Sequence, residues 1–172
     1  MRRIALVMST AAVLFWAAGV ANAQDRRPDF SGTWALDAEK TAAEGGAGGG
    51  GCRGGRGGGG GSMTIKQDAG TFTIERAGRC GGAVRSTAYK LDGSEVEITA
   101  GRGGTATATA SWEGMAGRSR IVIKQTGAGR GGAMQTTTTA YSMDGDWMVV
   151  ESTRPGRQGG DPTTTKAYYK KG

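Results

Sequence analysis

Ten short runs follow the first two dozen residues, and the links between them alternate strictly between two kinds. The runs are Thr33–Leu36, Met63–Gln67, Phe72–Glu75, Val84–Leu91, Glu95–Thr99, Thr105–Trp112, Arg120–Gln125, Gln135–Met143, Trp147–Thr153 and Thr163–Tyr169. They are rich in Thr, Val, Ile and aromatic residues, and several alternate with period two, as strands packed on one face and wet on the other do. Phe72 and Ile74 oppose Thr71, Thr73 and Glu75. Ala106, Ala108, Ala110 and Trp112 share a face opposite Thr105, Thr107, Thr109 and Ser111.

One kind of link is tight and acidic: Asp68-Ala69-Gly70, Asp92-Gly93-Ser94, Glu113-Gly114-Met115 and Asp144-Gly145-Asp146. Asp-Gly between alternating runs is a hairpin signal, because Gly accepts positive φ. The other kind is long and rich in Gly and Arg: Thr41–Gly61, Ala77–Ala83, Ala100–Gly104, Gly127–Ala133 and Arg154–Pro162. In a meander that reverses at every link, all long links share one pole and all tight turns the other. An even number of strands sets the last antiparallel to the first, so the sheet closes and removes its exposed edges. The expected fold is all-β, a single antiparallel up-and-down barrel of about ten strands.

The same parity gathers charge. Arg53, Arg56, Arg79 and Arg102 fall in the long links, as do Arg130, Arg154 and Arg157, with Arg76 at a strand edge. Only Glu44 and Asp161 oppose them, whereas the tight pole carries Asp68, Asp92, Glu95, Glu113, Asp144 and Asp146, with Arg118 as an exception.

Residues 1–23 are expected to leave before folding. Arg2 and Arg3 precede an apolar stretch from Ile4 to Ala18, and Ala21-Asn22-Ala23 offers a signal-peptidase site. The stretch is short for a bilayer span. Residues 24–172 are then one domain's worth, with 20 basic and 15 acidic side chains. Export to the periplasm or beyond permits disulfides, and one Cys52–Cys80 bridge is expected, since both cysteines lie in long links at one pole. The chain has no histidine, which removes Ser-His and Cys-His nucleophiles and the commonest neutral-pH base. The Glu95/Glu97 and Asp144/Asp146 pairs read as solvated surface, so no catalytic constellation, metal site or cofactor is expected.

The segment Pro28-Asp29-Phe30-Ser31-Gly32-Thr33-Trp34-Ala35-Leu36-Asp37 resembles the Gly-x-Trp opening of lipocalins and of bacterial lipocalin-like exported proteins. Ala110-Ser111-Trp112-Glu113-Gly114 and the Asp-Gly hairpins add to the likeness. The resemblance implies a calycin-type barrel in which Gly32 and Trp34 are structural. Trp34 would plug the closed end, with Phe30 beside it, and the long first loop would lie at the open end. The wider family's Thr-Asp-Tyr motif and the long helix after the barrel are missing, and a glycine-rich loop over 44–61 replaces the first loop.

Two binding readings follow. Phe72, Tyr89, Trp112, Tyr141 and Trp147 are candidates to line a barrel cavity for a small apolar or amphipathic ligand, with the three alanines leaving room. The same aromatics would equally fill a solid core. Alternatively, the Gly/Arg links dock on an anionic polymer such as lipopolysaccharide, acidic polysaccharide or nucleic acid, although no aromatics interleave their Arg-Gly-Gly segments. A compositional bias also accounts for those links.

Overall fold

The computed structural model describes residues 27–45, 61–77, 82–99, 104–115, 118–129, 132–156 and 160–172. Residues 1–23, most of the glycine-rich loop, both cysteines, and Arg53, Arg56, Arg79, Arg102, Arg130 and Arg157 lie outside them. The elements are β1 (Gly32–Leu36), α1 (Ala38–Ala43), β2 (Ser62–Gln67), β3 (Thr71–Arg76), β4 (Arg85–Lys90) and β5 (Val96–Thr99). They continue with β6 (Thr105–Met115), β7 (Arg118–Ala128), β8 (Met134–Asp144), β9 (Trp147–Arg154) and β10 (Thr163–Lys171).

The ten strands form one sheet in the order β4-β3-β2-β1-β10-β9-β8-β7-β6-β5, every neighbouring pair antiparallel. The first and last strands meet, with Leu36 opposite Tyr169. The fold is all-β, an up-and-down antiparallel barrel that is nearly closed. The strand ends joined by the long links and those joined by the tight links lie at opposite poles. Met63 faces Arg76, and Arg76 faces Arg85, so the strand ends flanking both cysteine-bearing links lie together.

Two turns depart from expectation. Glu113, Gly114 and Met115 do not form the turn but continue β6, with Gly114 pairing with Ser119 and Met115 with Arg118. Asp92-Gly93-Ser94 does not make a hairpin, for β4 and β5 are not hydrogen-bonded to each other. Asp92 instead bridges Ser111, and Gly93 N–H donates to the Ala110 carbonyl at 2.9 Å. Gly93 sits at φ +82°, and the Asp92 carboxylate accepts from Ser94 N–H at 2.8 Å. The turn thus ties itself to β6, and the one seam in the wall falls between β4 and β5.

The wall is also lopsided. Strands β1 to β5 hold four to six residues and β6 to β10 eight to eleven. At a rise of about 3.3 Å per residue, the longest strands exceed the shorter ones by roughly 16 to 23 Å. Where β1 stops, α1 takes its place beside β10. Asp37 N–H donates to the Tyr168 carbonyl at 2.8 Å, and Thr41 Oγ1, fully buried, accepts from Tyr168 N–H at 3.0 Å. Asp37 caps the helix by accepting from Lys40 N–H at 2.9 Å. Lys40 Nζ lies 4.3 Å from the Trp147 ring centroid and 4.9 Å from that of Tyr168, on the outside of the barrel.

The core fills the pole of the tight turns. Phe30 enters it from the N-terminal segment, edge-on to Phe72 at 6.0 Å and stacked on Trp112 at 6.2 Å. Its backbone is held by the Gln67 side chain, whose Oε1 accepts from Phe30 N–H at 3.0 Å. Trp34 is buried, and its indole N–H donates to the Phe30 carbonyl at 2.7 Å. Gly32 precedes it at φ +127°, a conformation side chains rarely adopt, where the chain turns from that plug into β1. Ile65, Ile121 and Met148 complete the packing.

Candidate ligand cavity

Away from the packed pole the barrel is hollow. Inward residues on the long strands shrink or turn polar toward the long links. On β6, Trp112 gives way to Ala110, Ala108 and Ala106. On β8, Tyr141 is followed inward by Thr139, Thr137 and Gln135, and on β9 Val150 by Ser152 and Arg154. Gly127 lies opposite Ala106, so close that a Cβ on it would stand 2.8 Å from the alanine Cβ. The result is a cavity of 1040 Å³.

Three arginines face this space: Arg76 from the end of β3, Arg85 from the start of β4 and Arg154 from the end of β9. Each continues the inward phase of its strand, Arg76 after Phe72 and Ile74, Arg85 before Thr87 and Tyr89, and Arg154 after Val150 and Ser152. Among the described residues, none of the three forms an ion pair, and no Asp or Glu lines the cavity.

Two phenols stand below them. Arg76 Nη2 donates to the Tyr141 hydroxyl at 3.2 Å, and Gln125 Nε2 donates to the Tyr89 hydroxyl at 2.8 Å. Both hydroxyls are accepting, so each keeps its own proton to give. Burial pushes the Tyr141 phenol up to about 12, partly opposed by the Arg76 charge. Burial likewise raises Tyr89 and Tyr169. The Arg76 guanidinium keeps solvent contact, yet the phenols around it, Tyr141 foremost, hold it more firmly in its charged form. Arg76, Tyr89 and Tyr141 are therefore hydrogen-bond donors through the neutral range.

Of the five expected cavity aromatics, Tyr89 and Tyr141 line the space. Phe72 and Trp112 point inward but belong to the packed pole, where they close on Phe30. Trp147 is on the other face of the wall. Met148 and Val150 take the inward positions of β9, and Trp147 lies outside, its indole N–H 3.4 Å from Asp37 Oδ2. Of the seven expected anion-binding arginines, Arg154 is described and faces the cavity. Sequence reasoning missed Arg85 altogether and placed Arg76 only at a strand edge. Their signal was the period-two phase they share with core residues.

No protein-family model and no curated protein matches the chain. Among solved structures it is similar to zebrafish ileal bile acid-binding protein complexed with cholic acid. The TM-score is 0.53 and the identity 18%, over 83% of this chain and 98% of that one. The likeness is one of fold. Together with the meeting of β1 and β10, it shows a nearly closed, lipocalin-like antiparallel barrel fold.

Proposed function

We propose that this chain is an exported, non-catalytic carrier that holds a small molecule bearing an acidic group in the hollow half of its barrel. One observation carries the reading: a 1040 Å³ cavity faced by Arg76, Arg85 and Arg154, with no carboxylate among the described residues that line it. All three guanidiniums are exposed at the cavity, and three like charges gathered there repel one another and attract an anion. The Arg-rich links expected at the same pole would steer such a ligand inward. The Arg2-Arg3 start and the Ala21-Asn22-Ala23 site support export. The similar zebrafish protein is, by its description, a bile acid-binding protein complexed with cholic acid, which fits a barrel of this kind working as a small-molecule binder.

The test is a fluorescence titration with 1-anilinonaphthalene-8-sulfonate, a small anionic probe. Saturable one-to-one binding is expected. It should be lost in Ala106→Trp, which fills the cavity, while thermal unfolding shows that variant still folded. Probe binding that never saturates, or that survives Ala106→Trp unchanged, contradicts the proposal. Binding only to long anionic polymers would move the site to the outer surface of the links.

A further inference from the structure

We infer that the ligand is a hydroxyl-rich oxyanion, an acidic or phosphorylated saccharide, whose charge meets Arg76, Arg85 and Arg154 and whose hydroxyls meet the Thr, Ser and Gln side chains of β7 to β9. This rests on the carrier reading and narrows it. Two features of the cavity carry the step.

The first is the wall. Pockets for small apolar ligands are lined mainly by hydrocarbon and aromatic faces, with few polar groups. Here the inward positions of β8 and β9 above Tyr141 and Val150 are Thr139, Thr137, Gln135 and Ser152, and Gln125 stands beside them on β7. The large aliphatic side chains of the lining are Ile74, Ile98 and Ile123 alone, each on a different strand. A hydrocarbon tail laid along β8 and β9 would strip water from those hydroxyls and amides and give nothing back. It also has nowhere deeper to go, since Phe72, Trp34, Ile121 and Met148 close the other pole. A polyol returns a hydrogen bond for each one lost to desolvation.

The second is the imbalance between donors and acceptors. Three guanidiniums and two phenolic protons point at the space, and the phenols already accept from Arg76 and Gln125. Among the described residues, no carboxylate on the wall supplies negative charge in return. The missing acceptors must arrive with the ligand, and more than one cation has to be met. Carboxylate and phosphate oxygens match the guanidinium fork, and ring faces of Tyr89 and Tyr141 offer flat contact for a sugar.

Isothermal titration of the full mature chain with digalacturonate, glucose 6-phosphate and palmitate tests this. At least one of the two sugar anions should bind one-to-one, about tenfold or more tighter than palmitate, and which one binds assigns the oxyanion as carboxylate or phosphate. Arg76→Gln and Arg154→Gln should each weaken that sugar anion about tenfold. Thr137→Val and Thr139→Val, which keep shape and remove a hydroxyl, should weaken it by several-fold while leaving the unfolding midpoint in place. Palmitate binding more tightly than both sugar anions overturns the ligand class and leaves the carrier reading standing. No binding of any of the three, together with failure of the sulfonate probe, removes both. Sugar-anion binding that is indifferent to all four substitutions overturns the assigned site.

Discussion

Ala110 and Ala106 lie four residues apart on the same inward face of β6, and they belong to different environments. Ala110 belongs to the buried core cluster, opposite Ile123; Ala106 borders the cavity opposite Gly127. The difference runs through the whole barrel. At the tight-turn pole, inward positions are large and aromatic and interlock at ring distances of 5.2 to 6.2 Å. At the long-link pole, the same phase of the same strands carries Ala, Thr, Ser, Gln and Arg. One pole holds the fold together and the other leaves room for a guest. A barrel of ten strands is wide enough for side chains to fill only part of it, so the division reflects where large residues were placed along each strand.

The largest break in that comparison should come from Phe72→Ala. Removing a fully buried ring that packs on both Phe30 and Tyr141 should destabilise the protein by about 3–5 kcal/mol, read from urea unfolding. The two alanines give a sharper contrast. Ala110→Leu overfills the packed pole and should destabilise by about 1–3 kcal/mol, whereas Ala106→Leu projects into empty space and should shift stability by less than about 1 kcal/mol. Equal effects at the two sites would mean the interior is uniform. Lys40→Met removes the ammonium stacked on Trp147 and Tyr168 and should lower stability by only about 0.5–1 kcal/mol, since that contact lies outside the wall.

The smallest expected effect is an absence of change with pH. Tyr89 and Tyr141 have phenol values raised by burial, Tyr141 to about 12. A raised value means the proton is retained further up the pH scale, so both hydroxyls still donate at pH 9. The phenols around Arg76 hold it charged there, and no Asp or Glu among the described residues lines the cavity to protonate below neutrality. Affinity for the sulfonate probe, which is itself charged throughout, should be flat from about pH 6 to 9. A clear rise or fall in that window would place a different titrating group in the site.

Much of this was legible in the order of residues. Alternating link types imply the meander, the segregation of its poles and the meeting of β1 with β10. The run Ala106, Ala108, Ala110, Trp112 reads correctly as one inward face. What period two cannot convey is height along the barrel axis. It places Phe72 and Trp112 inside but not at which pole, and that depends on Phe30 entering from outside the strand pattern. Trp147 was misread because Trp147–Val150 is apolar on both faces, its outer face being covered by Lys40 and α1. The helix itself is six residues long, too short for a periodic signal, though Asp37 three residues before Lys40 marks its start. Arg76 and Arg85 are exposed, as arginine usually is, yet their phase with Ile74 and Tyr89 turns them to the cavity side. The turn at Asp92-Gly93 shows that a local signal fixes a reversal without fixing which strands then pair.

The isoleucines of the barrel offer the most direct test of a hollow pole beside a solid one. Ile98 lines the cavity partly exposed, Ile74 and Ile123 border it from the edge of the buried core, and Ile65 and Ile121 lie within that core. With isoleucine methyls isotopically labelled, water-to-methyl NOEs measured on the ligand-free protein should appear at Ile98 and be missing at Ile65 and Ile121. A dry Ile98, or water reaching Ile121 as readily as Ile98, would contradict the account.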